Sequence, residues 1–226
     1  LEISVSRERK DRRLDKLIDS AVKVGIAVNE IPRASLDKMA DDGTHQGVIA
    51  RSRPRPAANE NDLGDILDRL EGPAFLLVLD GVQDPHNLGA CLRTADAVGV
   101  NAVIVPKDRA VGLTPVVRKT ASGAAETVPF IRVNNIARTL RHLKERGIWV
   151  VGASGETGSS FLDADLRGPL AIVMGSEGKG LRRLTREHCD LLADLPMQGE
   201  VESLNVSVAA GVCLYTALSQ RLSASI

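Results

Sequence analysis

Aromatic residues are scarce. Among 226 residues, Phe75, Phe130, Phe161, Trp149 and Tyr215 are all there are. The core must therefore be aliphatic, and so few rings argue against an RNA surface that reads bases by stacking. Cysteine is almost as rare. Cys91, Cys189 and Cys213 form no Cys-x-x-Cys pair and have no ligand-like spacing, so neither a disulfide framework nor a metal site is expected. No apolar run is longer than about eight residues, too short to span a bilayer. The charged N-terminus has no signal-peptide core. These absences predict a reduced, cytoplasmic chain without membrane contact. Net charge is also missing, at zero overall. Bulk electrostatics therefore gives no sign of a polyanionic partner, and any RNA contact must come from local patches.

One such patch is present. Residues 1–56 carry 12 Lys and Arg against 9 Asp and Glu, and Arg7, Arg9, Lys10, Arg12, Arg13 and Lys16 fall close together. The interleaved Glu8, Asp11 and Asp15 also suit an ordinary solvated helix face. Residues 1–50 read as a small α/β unit. Leu1–Val5 begins strand-like with no lead-in, which suggests a domain shortened at its start. Leu14, Leu17, Ile18 and Ala21 recur at helical spacing. Val24–Val28 and Gly47–Ala50 read as short strands, with a short helix between them. Fifty residues make a thin core. Residues 51–72 hold two prolines, many polar residues and a short helical stretch at Leu63–Leu70, and read as a linker.

From residue 73 to 226 the rhythm is alternating strand and helix. Strands are expected at Phe75–Leu79, Ala102–Val105, Val128–Val133, Trp149–Ala153, Leu170–Met174 and Leu191–Leu195. Helices are expected at Leu88–Val98, Pro115–Ser122, Ile136–Glu145 and Val206–Arg221. The strands are continuous apolar runs, which implies burial on both faces and a mostly parallel α/β sheet covered by helices.

In such sheets ligands gather beyond the carboxyl ends of the strands, and three loops there are unusual. The first runs from Leu79 through Asp80, Asp84 and Asn87 to Arg93. Asn87 sits where a helix cap would sit, and Arg93 is the one cation in the small-residue helix expected at Leu88–Val98. The second, Met174-Gly175-Ser176-Glu177-Gly178-Lys179-Gly180-Leu181, has glycines that let a ligand approach the backbone, but it is neither a P-loop nor G-x-G-x-x-G. The third runs from Leu195-Pro196-Met197 to Ser203-Leu204-Asn205, where a capping Asn opens the last helix. The glycines from Gly152 to Gly158 lack the G-x-G start and read as a plain loop. The same gap, with no ribose-binding acid, argues against a nucleotide-dependent oxidoreductase.

Taken in order, Asn-Leu-Gly-x-x-x-Arg, Gly-Ser-Glu-Gly-x-Gly-Leu and Pro-Met-x-Gly-x-x-x-Ser-Leu-Asn-Val-Ser resemble the three signature motifs of the SpoU-type RNA ribose 2′-O-methyltransferases of the SPOUT superfamily. His45-Gln46-Gly47-Val48-Ile49-Ala50 resembles the end of that family's L30e-like RNA-binding domain. The resemblance implies a trefoil knot, a homodimer and S-adenosylmethionine as cofactor. It implies a guanosine ribose of 23S ribosomal RNA as substrate, with a transfer-RNA or other ribosomal nucleotide as the alternative. A non-catalytic RNA-binding module would not need the full polar set. By position, the resemblance puts Arg93, Asn87, Glu177, Ser203 and Asn205 in the catalytic set. It puts Gly175, Leu195, Met197, Ser203, Leu204 and Asn205 around the cofactor.

Overall fold

The computed structural model describes residues 1–41, 43–51, 57–155 and 157–223. The chain divides into two compact units, Leu1–Pro56 and Ala57–Ile226. The start of the expected linker, residues 52–56, lies outside the described residues.

The first unit contains β1 (Glu2–Ser6), α1 (Arg12–Lys23), β2 (Ala27–Ile31), α2 (Arg33–Ala40) and β3 (Val48–Arg51). Its sheet has the order β2-β1-β3, with β2 parallel and β3 antiparallel to β1. Ile3, Val5, Leu14 and Ala21 form its small core. Asp11 caps α1, accepting from the backbone N–H groups of Arg13 and Leu14 at 2.9 and 3.0 Å. The second strand lies three residues later than the expected Val24–Val28. The chain leaves α1 through Val24 and Gly25, whose φ of +72° is left-handed, so the apolar residues from Val24 to Ile26 are spent on the turn.

The second unit begins with α3 (Glu60–Asp68), β4 (Phe75–Asp80), α4 (Pro85–Ala97) and β5 (Ala102–Pro106). Next come α5 (Pro115–Ala121), α6 (Ala124–Thr127), β6 (Phe130–Val133), α7 (Ile136–Glu145) and β7 (Trp149–Ala153). The unit ends with β8 (Leu170–Gly175), α8 (Arg183–His188), β9 (Leu191–Ala193) and α9 (Val206–Ser223). Six strands in the order β6-β5-β4-β8-β7-β9 form one sheet, and all of its pairs are parallel.

The apolar runs have the cause inferred for them, because successive side chains of one strand feed opposite cores. Phe75, Leu77 and Leu79 of β4 pack with residues of α4, α5, α6 and α9. Leu76 and Val78 pack on the other face with Leu63 of α3 and Ile136, Leu140 and Leu143 of α7. Helix α3 belongs to this second unit. Glu60 accepts the backbone N–H of Asn134 at 2.7 Å and pairs with Arg138 at 2.6 Å. Helices α6 and α8 are too short to show a periodicity and were not expected. The third strand starts at Phe130, not Val128, because α6 occupies the residues just before it.

Because the sheet is parallel, Asp80, Ala153, Gly175 and Ala193 end their strands at one edge. All three motif loops leave from that edge.

Candidate functional site

The first loop does not place its asparagine as expected. Asp84, not Asn87, caps α4, with Oδ1 accepting the His86 N–H at 2.8 Å. Pro85 occupies the first helical turn, where its missing N–H costs nothing. Asn87 therefore lies inside the first turn and is buried, with its amide free for another task.

That task is a junction with the other two motifs. Asn87 Nδ2 donates to Glu177 Oε1 at 2.8 Å. Asn205 Nδ2 donates to Asn87 Oδ1 at 2.9 Å and to Glu177 Oε1 at 3.0 Å. Asn205 does cap its helix as expected, since its Oδ1 accepts from the Ser207 N–H at 2.9 Å and the Ser207 hydroxyl at 2.6 Å. One carboxylate oxygen thus receives both amides, and one residue from each motif is locked to the other two. We expect Asn87→Ala to cost activity well beyond the roughly 1.5–3 kcal/mol of a lost hydrogen bond to a charged group. Methyl-transfer rate per folded molecule, set beside the thermal midpoint, measures this; a pure midpoint loss would reduce Asn87 to a structural role.

Glu177 rides on a tight hairpin. Ser176 N–H donates to Gly180 O at 3.1 Å, and Gly180 N–H donates back to Ser176 O at 2.9 Å. Gly175 lies directly beneath this crossing. A Cβ placed on it would lie 2.2 Å from Gly180 C and 2.4 Å from Leu181 N.

The remaining expected residues stand outside the junction. Arg93 is exposed on α4. Six residues of helix place it about 9 Å along the axis and about 120° round from Asn87. Ser203 and Leu204 are exposed, while Leu195 and Met197 are half-buried on the loop after β9. Among the described residues, no hydrogen bond joins Arg93 or Ser203 to the trio. Among the described residues, no helix opens from the glycine-containing loop after β7. Burial, reinforced by the charge of Glu177, pushes the Cys91 thiol up to about 12, so it stays a neutral packing group one turn from Asn87.

Two residues at this edge were not singled out from the sequence. Asp80 ends β4 with a fully buried side chain, and its Oδ1 lies 2.7 Å from Arg182 Nη2. An acid closing an otherwise apolar strand was the available signal. A cavity of about 540 Å³ opens here, with Asn87, Glu177 and Arg182 in its wall.

The pattern described as SpoU rRNA Methylase family matches residues 74–215. The pattern for RNA 2′-O ribose methyltransferase substrate binding matches residues 1–57. The chain is 57% identical over 223 residues to the 23S rRNA (guanosine-2′-O-)-methyltransferase of Haemophilus influenzae, covering 98% of this chain and 90% of that one. It is 54% identical to the protein of the same name from Shewanella oneidensis, covering 99% and 90%. Among solved structures, an RNA 2′-O ribose methyltransferase superposes with a TM-score of 0.75 at 28% identity, covering 98% of this chain and 81% of that chain. The sheet, the three joined motifs and the near-complete coverage agree: the chain belongs to the SpoU rRNA methylase family.

Proposed function

We propose that this protein transfers a methyl group from S-adenosylmethionine to the 2′-hydroxyl of a guanosine ribose in 23S ribosomal RNA. The observation that carries the reading is the junction of Asn87, Glu177 and Asn205 at the carboxyl edge of a parallel sheet. The high identity to 23S rRNA methyltransferases over nearly the whole chain supports the choice of substrate.

The residues present suit the cofactor. Leu195 and Met197, half-buried, and the exposed Leu204 offer apolar surface for a flat heterocycle. The loop that bears them leaves β9 at the same edge as Gly175, and its backbone lies outside the sheet ladder, with groups available to a purine edge. Gly175, Leu195, Met197, Leu204, Ser203 and Asn205 would hold S-adenosylmethionine. When bound, it supplies a methyl carbon already activated by a sulfonium.

The protein's part is to position the ribose and manage one proton. Glu177 and the two asparagines form a rigid polar wall against which the ribose is oriented. Arg93 acts on the hydroxyl or its neighbouring phosphate. Because arginine stays protonated, it serves as a donor that stabilises the negative charge developing on the hydroxyl oxygen, whose proton leaves to a neighbouring phosphate or to water. Ser203 completes the polar set.

We further propose a homodimer. Val208, Val212, Tyr215 and Leu222 make an exposed apolar stripe on α9, beside α4, and a second copy seated there would bring its own Arg93 near a site that lacks one. The SPOUT-type trefoil knot is proposed for the segment from β8 to α9. Its support is that the chain reaches the edge strand β9 and then returns to pack α9 against α4. The first unit is proposed to be an L30e-like RNA-binding domain and the protein to work in the cytoplasm. No helix among the described residues is long and apolar enough to cross a membrane.

The test is tritiated methyl transfer to unmodified 23S, 16S and transfer RNA, with mapping of 2′-O-methyl sites. One methylated guanosine in 23S RNA is expected. Transfer to transfer RNA alone, or to none, would overturn the substrate or the activity.

A further inference from the structure

The 540 Å³ cavity has two kinds of wall. Asn87 and Glu177 present the motif junction, and Arg109, Lys179, Arg182 and Arg183 present four cations. Two of the carboxylates there are already engaged. Asp84 caps α4, and Asp80 is committed to Arg182.

That commitment is unusual in its geometry. The Asp80 side chain is 0% exposed, while that of Arg182 is 44% exposed. Asp80 Oδ1 meets the guanidinium at 2.7 Å, and Oδ2 accepts the backbone N–H of the same residue at 3.2 Å. One buried carboxylate thus hydrogen-bonds the backbone of Arg182 through Oδ2 and pairs by charge with its head group through Oδ1, which has no aligned hydrogen bond. A guanidinium has five N–H donors, and among the described residues Asp80 is the one side chain that pairs with this one. The others remain available at the cavity. A surface ion pair would leave both partners free to wander. Here the acid is buried, and the cation is tethered to it at the cavity wall.

We propose that Arg182, positioned by Asp80, grips a backbone phosphate of the RNA, next to the nucleotide whose ribose faces Asn87 and Glu177. This rests on the reading that the substrate is RNA. A fixed guanidinium fork matches two phosphate oxygens at once. A phosphate held beside the trio would fix the register of the strand, as backbone contacts do without reading sequence. Arg182 is then a substrate-binding residue, and Asp80 is a positioning residue.

Filter binding of an unmodified 23S RNA fragment, without methyl donor and across 50–200 mM KCl, tests this. Arg182→Gln is expected to weaken RNA binding about tenfold and to flatten the slope of log K against log[KCl] by roughly 0.7–0.9, one phosphate contact. Arg182→Lys is expected to restore the slope but not all of the affinity, because a point charge replaces a fork. S-adenosylhomocysteine binding, by calorimetry, is expected to stay unchanged in both. Should Asp80 left unpaired unfold Arg182→Gln, the double variant Asp80→Asn/Arg182→Gln removes both charges and gives the same readout. A wild-type slope in the glutamine variants would overturn the proposal. So would a loss of S-adenosylhomocysteine binding, which would assign Arg182 to the cofactor's carboxylate. Wild-type protein that neither binds nor methylates RNA would instead sink the functional reading itself.

Discussion

Gly175→Ala is expected to remove methyl transfer and S-adenosylhomocysteine binding together, and to lower the thermal midpoint by roughly 5–10 °C. The added methyl would stand 2.2 Å from Gly180 C, 2.4 Å from Leu181 N and 2.5 Å from Gly180 O. All three neighbours are backbone atoms, so no side chain can swing aside. Relief requires opening the Ser176–Gly180 hairpin or pushing Leu181 out of the core, where it is 5% exposed. Overpacking of this kind costs about 1–3 kcal/mol or more, and each kcal/mol is worth roughly 2–4 °C in a chain of this size. The hairpin also carries Glu177, so its displacement breaks both amide contacts. Gly155→Ala is the control. Nothing lies within 4 Å of its added methyl and its φ is ordinary, so the expected change is within about 0.5 kcal/mol. Equal effects of the two substitutions in a melting scan would show that the hairpin does not ride on Gly175.

Arg93→Ala is expected to act in the opposite manner, through chemistry without stability. The side chain is exposed, so its loss should move stability by no more than about 0.5 kcal/mol. Transfer should fall by at least about 100-fold, the lower range for removing one preorganised donor to a developing negative charge. Single-turnover transfer set beside calorimetry with S-adenosylhomocysteine separates the two, and parallel losses would remove Arg93 from the chemistry. If each site draws Arg93 from a second copy, mixing inactive Arg93→Ala with inactive Glu177→Ala should recover about a quarter of wild-type activity. Random pairing makes half of the dimers mixed, each with one intact site.

The parallel sheet was legible because β4, β5 and β8 are buried on both faces and so write themselves as unbroken apolar runs. The motif loops were legible as departures from that rhythm. The role of Asn87 within its helix was not. Asp84-Pro85 is itself a cap and first-turn signature, and the asparagine two residues later competed with it for the same local explanation. What settles the matter is an acceptor 90 residues away, which no local pattern encodes. Asp80 and Arg182 were hidden for the same reason, being 102 residues apart. Helix α8, six residues long, has too few turns to write a stripe.

The junction joins residues separated by 90, 118 and 28 positions. On the ribosome it therefore cannot close until Asn205 has left the exit tunnel and α9 has docked. Contacts of such span are slow to form. Strands β4, β5 and β6 can pair early, and the chain yet stays without a competent site until Asn205 has emerged. An unfinished copy would then have no means of modifying the RNA of the machine that is making it.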